Sequence, residues 1–147
     1  MKTLRSLLVS ALFLSGALAL AQNAALVSDT AILAQSGGTL VLRATADYPG
    51  VPGALGWSIA LPSDWSLVLV NGPHVPAIAP EAGSSGTLEF AYTAVPQSRA
   101  EFSVVVRYPA NAPSVEAAAT ALLRSGGKLT TLTPAPVPMR GVEAGAK

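Results

Sequence analysis

The sequence predicts an all-β fold: a β-sandwich of Ig-like or jelly-roll type, with about eight or nine antiparallel strands after an N-terminal export signal. Three observations predict it. Apolar residues recur with a period of two in run after run. Gly/Pro/Asn-rich turn signals break the chain at short intervals. No stretch carries a convincing amphipathic helix that could cover a parallel sheet.

The N-terminus is set apart from the fold. "MKTLRSLLVSALFLSGALALAQ" has Lys2 and Arg5, an apolar run from Leu7 to Leu20, and small residues in Ala19-Leu20-Ala21. This is the pattern of a secretory signal peptide over residues 1–21, cleaved before Gln22. The apolar run is short for a membrane span. The remainder, starting at Gln22, is long enough for one domain with a real core. Its β-sandwich is expected over residues 22–133, with 134–147 as a flexible Pro/Ala/Gly-rich tail.

Charge and cysteine content narrow the function classes. The whole chain has a formal charge of +1, and cleavage removes two of its positive charges, Lys2 and Arg5. A nearly neutral chain lacks the electrostatic footprint for nucleic acid or for an anionic membrane surface. The sequence has no cysteine, so the fold must hold by burial alone, and thiol chemistry and cysteine metal sites are excluded.

The strands follow in order. In "TLVLRATA", Leu40, Leu42, Ala44 and Ala46 share one parity. In "ALGWSIAL", Leu55, Trp57, Ile59 and Leu61 alternate with Gly56, Ser58 and Ala60. Trp57 therefore points with the aliphatics into the core. Trp65 falls in phase with Leu67 and Leu69, but Val68 and Val70 blur that strand. "TLEFAYT" alternates Leu88, Phe90 and Tyr92 with Thr87, Glu89, Ala91 and Thr93. "AEFSVVVRYP" alternates Phe102, Val104, Val106 and Tyr108 with Glu101, Ser103, Val105 and Arg107. "VEAAATALL" is alanine-rich, which favours helix. Its own alternation and the Gly126-Gly127 hairpin signal that follows predict a strand instead.

Candidate chemistry is sparse. His74 is the one histidine and sits in "NGPHVP", a loop. No Gly-x-Ser-x-Gly elbow, Asp-rich calcium loop or phosphate-cradling glycine loop occurs. A glycosidase needs two facing carboxylates. Glu89 and Glu101 are placed as cross-strand neighbours on an outward face, which offers no pocket to tune either. No enzyme and no cofactor are expected.

The succession "GGTLVLRATA", a Pro/Gly loop, "ALGWSIALPSDWSLVLV", "GTLEFAYT" and "AEFSVVVRYPANAPSVEAAATALL" resembles the cohesin-like modules of bacterial secreted proteins, over roughly residues 25–133. The resemblance implies a nine-stranded jelly roll that binds an extracellular protein, dockerin modules in cohesins proper, and catalyses nothing. It places segments 55–61, 87–93 and 101–107 on one docking sheet. The outward residues there are Ser58 on the first, Thr87, Glu89 and Thr93 on the second, and Glu101, Ser103 and Arg107 on the third. The alternative is a carbohydrate-binding module acting on an extracellular polysaccharide. That needs exposed aromatics, and the parities leave only Tyr48, Trp65 and His74 for such a surface.

Overall fold

The computed structural model describes residues 22–142. The expected signal peptide and residues 143–147 lie outside the described residues. Nine strands follow in chain order: β1 (Asn23–Ser28), β2 (Gly38–Asp47), β3 (Ala54–Ala60), β4 (Ser66–Asn71), β5 (Thr87–Ala91), β6 (Arg99–Tyr108), β7 (Val115–Ser125), β8 (Lys128–Leu132) and β9 (Val137–Met139). They build two sheets, one ordered β1-β2-β6-β4 and the other β5-β3-β7-β8, with β9 paired to β7. Every pairing between named strands is antiparallel.

The alternations seen in the sequence are the inner faces of these sheets. Leu40, Leu42, Ala44 and Ala46 of β2 and Ala100, Phe102, Val104, Val106 and Tyr108 of β6 are buried on one side. Leu55, Trp57 and Ile59 of β3, Leu88 and Phe90 of β5 and four positions of β7 are buried on the other. Aromatic rings join the two layers. Phe102 meets Trp57 edge-on at 6.1 Å between centroids and Phe90 at 5.0 Å. Within one layer, Trp65, just before β4, lies 5.5 Å from Tyr108 of the neighbouring β6. Among the described residues no polar or charged residue is fully buried. Apolar area removed from water, about 25 cal/mol per Å², is the main term holding the layers together.

Local chemistry explains three details. β4 carries a register shift between Leu67 and Leu69. A bulge exchanges the faces of the residues beyond it, so Leu67 is buried, Leu69 is 45% exposed and Val70 packs on the core. This is the physical origin of the blurred pattern at 65–70. Second, β7 is a strand despite its alanines, because β3 pairs one part of it and β8 and β9 pair others. Tertiary pairing overrides propensity here. Third, Gly126 and Gly127 both have positive φ, 57° and 77°, between the paired Ser125 and Lys128. That is the two-residue hairpin turn that twisted strands favour.

Two expectations are corrected. Part of the tail expected to be loose is structural: β9 pairs with β7, and Val137 and Met139 are buried. Arg140 forms a parallel bridge with Ile32; its carbonyl accepts from Leu33 N–H and its N–H donates to Ala31 O. β9 thus ties the second sheet to the segment after β1. Proline at 138 fits because β9 is three residues long and pairs with β7 alone among the named strands, so the missing N–H interrupts little of the ladder.

The second correction concerns neighbours. β6 is not beside β5; it lies in the other sheet, between β2 and β4. Glu89 and Glu101 are therefore not cross-strand partners. The connection at 92–98 crosses from one layer to the other rather than making a hairpin. It is pinned there: Tyr48 Oη donates to Pro96 O at 2.6 Å, Tyr48 N–H donates to Ser98 O, and Ser98 N–H donates to Gly50 O.

Candidate functional site

With β6 in the opposite layer, the expected docking residues divide between two outer surfaces. Ser58, Thr87 and Glu89 stay together on the β5-β3-β7-β8 sheet. Opposite Ser58 on its two sides are Glu89 of β5 and Thr120 of β7. Ser58 Oγ donates to Glu89 Oε2 at 2.5 Å. Thr87 stands opposite Ala60. Thr93 is exposed but lies past the end of β5, which stops at Ala91.

This surface has a floor of small side chains. The outward positions of β3 are Ala54, Gly56, Ser58 and Ala60, facing Arg124, Leu122, Thr120 and Ala118 of β7. Taller apolar groups stand around it. Leu122 is 42%, Leu129 56% and Ile78 58% exposed. Ile78 is bridged to Ala91, which itself pairs with Gly56, so Ile78 and Leu122 flank the same small-residue row. The exposed Arg124 and Glu116 mark its two ends along β7 and make no ion pair among the described residues.

Glu101, Ser103 and Arg107 lie on the outer face of the β1-β2-β6-β4 sheet. Glu101 is engaged by Arg43 at 3.7 Å and Arg99 at 3.9 Å, and Arg99 reaches Asp47 at 3.2 Å. Ser103 stands between Arg43 and Asn71, and Arg107 between Thr39 and Ser66. This face is laced with exposed ion pairs, each contributing little to stability.

The aromatics proposed for a sugar platform are not available. Tyr48 is 4% and Trp65 1% exposed, while Trp57, Phe90, Phe102 and Tyr108 are also buried. Tyr92, half-buried, donates its hydroxyl to His74 O at 2.6 Å. Burial pushes the Tyr92 phenol well above its ordinary value, with the Tyr48 phenol adding to the shift. Burial, and to a lesser degree the Asp47 charge, raises Tyr48 as well. Both phenols stay protonated and serve as hydrogen-bond donors that fasten loops. His74 is also committed to structure: its ring Nδ1 accepts the Glu101 backbone N–H at 3.2 Å, and its backbone N–H donates to Glu101 O.

Among the described residues, no group of three or more His, Asp or Glu side chains is placed to hold a metal ion. A shallow cleft of about 530 Å³ lies at one end of the sandwich, walled by Pro62, Pro109 and Pro113, with Asp64 and Glu116 its ionisable groups. Sequence reasoning missed Ile78, Leu122, Leu129 and the Arg124/Glu116 pair of ends. The alternation of β7 already put Glu116, Leu122 and Arg124 on one parity, a signal that was present.

No family model matches the chain, and no curated protein matches it. Among solved structures it is similar to a non-cellulosomal cohesin from the hyperthermophilic archaeon Archaeoglobus fulgidus. That similarity has a TM-score of 0.52 and 8% identity, over 82% of this chain and 92% of the other. The nine-stranded, two-sheet sandwich described above has a cohesin-like fold.

Proposed function

We propose that this chain is an exported, non-catalytic protein-binding or assembly module that engages its partner through the outer face of the β5-β3-β7-β8 sheet. The observation that carries the reading is the construction of that face. A floor of Gly56, Ser58, Ala60 and Ala118 lies open beside exposed Ile78, Leu122 and Leu129. Exposed apolar side chains standing beside an open floor of small ones on a sheet face suit contact with a protein surface. The cohesin-like fold supports the same reading by analogy. Ser58, Thr87 and Glu89 then act as polar contacts within the face, with Thr93 at its rim. Glu101, Ser103 and Arg107 belong to a different surface and drop out of this site. Burial of the aromatics removes the support for polysaccharide binding.

Export rests on the N-terminal pattern of residues 1–21. The test is capture from the host's secreted fraction, with the domain from Gln22 onward as bait. Ser58→Arg fills the centre of the floor, and Ser103→Arg alters the opposite sheet. The proposal expects a protein to be retained by the parent and by Ser103→Arg, and lost with Ser58→Arg. Loss with Ser103→Arg and retention with Ser58→Arg would overturn the site.

A further inference from the structure

We propose that a second copy of this chain is a partner for the β5-β3-β7-β8 face, the two sheets stacking face to face about a two-fold axis through the Ser58–Thr120 row. The inference rests on the reading of that face as an interaction surface and names its occupant.

The argument comes from the order of outward residues. Along β7 they run Glu116, Ala118, Thr120, Leu122, Arg124. A two-fold axis in the plane of contact, perpendicular to the strands and passing through Thr120, lays β7 antiparallel across its copy. Position 120 + n then faces position 120 − n. Arg124 meets Glu116 of the second copy, and the same pair recurs at the other end. Leu122 meets Ala118, a tall side chain over a short one. On β3 the same operation sets Gly56 over Ala60.

The charges are therefore self-complementary in the way a two-fold contact requires. Glu116 and Arg124 each lie four residues from Thr120, about 13 Å at the strand rise of roughly 3.3 Å per residue. The twist between aligned packed sheets, about 30°, still leaves arginine and glutamate within reach of each other at that distance. Neither side chain has an ion-pair partner within its own copy among the described residues. Arg140, two residues beyond the Pro138 that pairs with Glu116, makes none with it.

On the other sheet, the same operation about the Arg43–Ser103 row would set Arg107 on Arg99 of the second copy, like charge on like. One unfavourable contact exists on the proposed face: Glu89 lies in the axial row and meets its own counterpart. It stands on the edge strand β5, at the solvated rim.

Nine residues of β7 and five each of β3 and β5 lie over their own counterparts, which at strands about 4.8 Å apart gives a footprint of roughly 300 Å² on each copy. That is below the usual size of a specific complex, so association is expected only toward the upper end of the micromolar range.

The test is sedimentation equilibrium of the chain from Gln22 onward, from about 1 μM to about 300 μM, a range suited to so small a contact. The parent is expected to pass from monomer to dimer. Glu116→Arg and Arg124→Glu each convert two attractive contacts into two repulsive ones, and each alone is expected to weaken the dimer about tenfold or more. Mixed together, the two variants regain both opposite-charge contacts and are expected to dimerise. Glu89→Gln is expected to tighten the parent dimer. Circular dichroism confirms that these exposed substitutions leave the sandwich folded. A parent that stays monomeric to 300 μM overturns the proposal. So does a dimer that is indifferent to both reversals, or variants that do not restore each other. If the parent is monomeric yet captures a different protein that Ser58→Arg releases, the second copy falls and the protein-binding reading stands. If neither occurs, both fall.

Discussion

Replacing Trp57 with alanine removes the largest side chain at the junction of the two sheets. The ring is 1% exposed and meets Phe102 of the opposite layer edge-on at 6.1 Å. Truncating a buried aromatic loses its transfer energy and leaves a cavity, a cost of about 3–5 kcal/mol. A second substitution sharpens the test. Trp57 Nε1 is buried without a hydrogen-bond partner. Leaving such a donor unsatisfied costs about 1–3 kcal/mol, and Trp57→Phe abolishes that cost while keeping a ring in place. The phenylalanine variant should thus lose well under half of what the alanine variant loses. Urea unfolding followed by far-ultraviolet circular dichroism measures both, and an unchanged slope keeps the comparison valid. An alanine variant within about 1 kcal/mol of the parent would mean that the ring does not join the layers. A phenylalanine variant as damaged as the alanine one would show that the indole N–H contributes a bond.

Three further outcomes are expected. Ending the chain at Leu132 removes β9 and its buried Val137 and Met139; each such side chain contributes about 1.5–3 kcal/mol, so urea unfolding should show a loss of several kcal/mol, and an unchanged midpoint would make the segment dispensable. Gly126→Ala places a side chain at φ 57° and should cost about 1 kcal/mol in the same assay, with no effect on partner capture beyond that of stability. Exported protein should begin at Gln22, read by intact mass; soluble secreted material still carrying Met1–Ala21 would contradict the cleavage site.

Strands and their faces were legible because period-two alternation is a local property. Leu40 to Ala46, Phe102 to Tyr108 and Leu55 to Ile59 each report their own burial, and Trp57 was placed correctly by parity alone. Neighbour relations are not local. The alternations of β5 and β6 say which side chains point outward, not that the crossing at 92–98 sends β6 to the other layer. The cohesin-like order of segments, which does not show that crossing, therefore groups Glu101, Ser103 and Arg107 with Ser58 and Glu89. β9 was hidden for a different reason: Pro134, Pro136 and Pro138 gave the segment a linker's composition, while Val137 and Met139 kept a strand's spacing. In β4, one extra residue shifted the phase and concealed that Leu69 is exposed and Val70 packed.

The most direct test of the working face is hydroxyl-radical footprinting of the chain from Gln22 onward, alone and in the concentrated secreted fraction. Ile78, Leu122 and Leu129 report the β5-β3-β7-β8 face, and Val27 and Leu69 report the opposite sheet; all five are between 42% and 58% exposed. Comparable starting exposure makes the five positions fair reporters of protection. Engagement as proposed protects Ile78 and Leu122 and leaves Val27 and Leu69 labelled as before. Protection of Val27 and Leu69 with Ile78 and Leu122 unchanged would contradict the account and move the interaction to the other side of the sandwich.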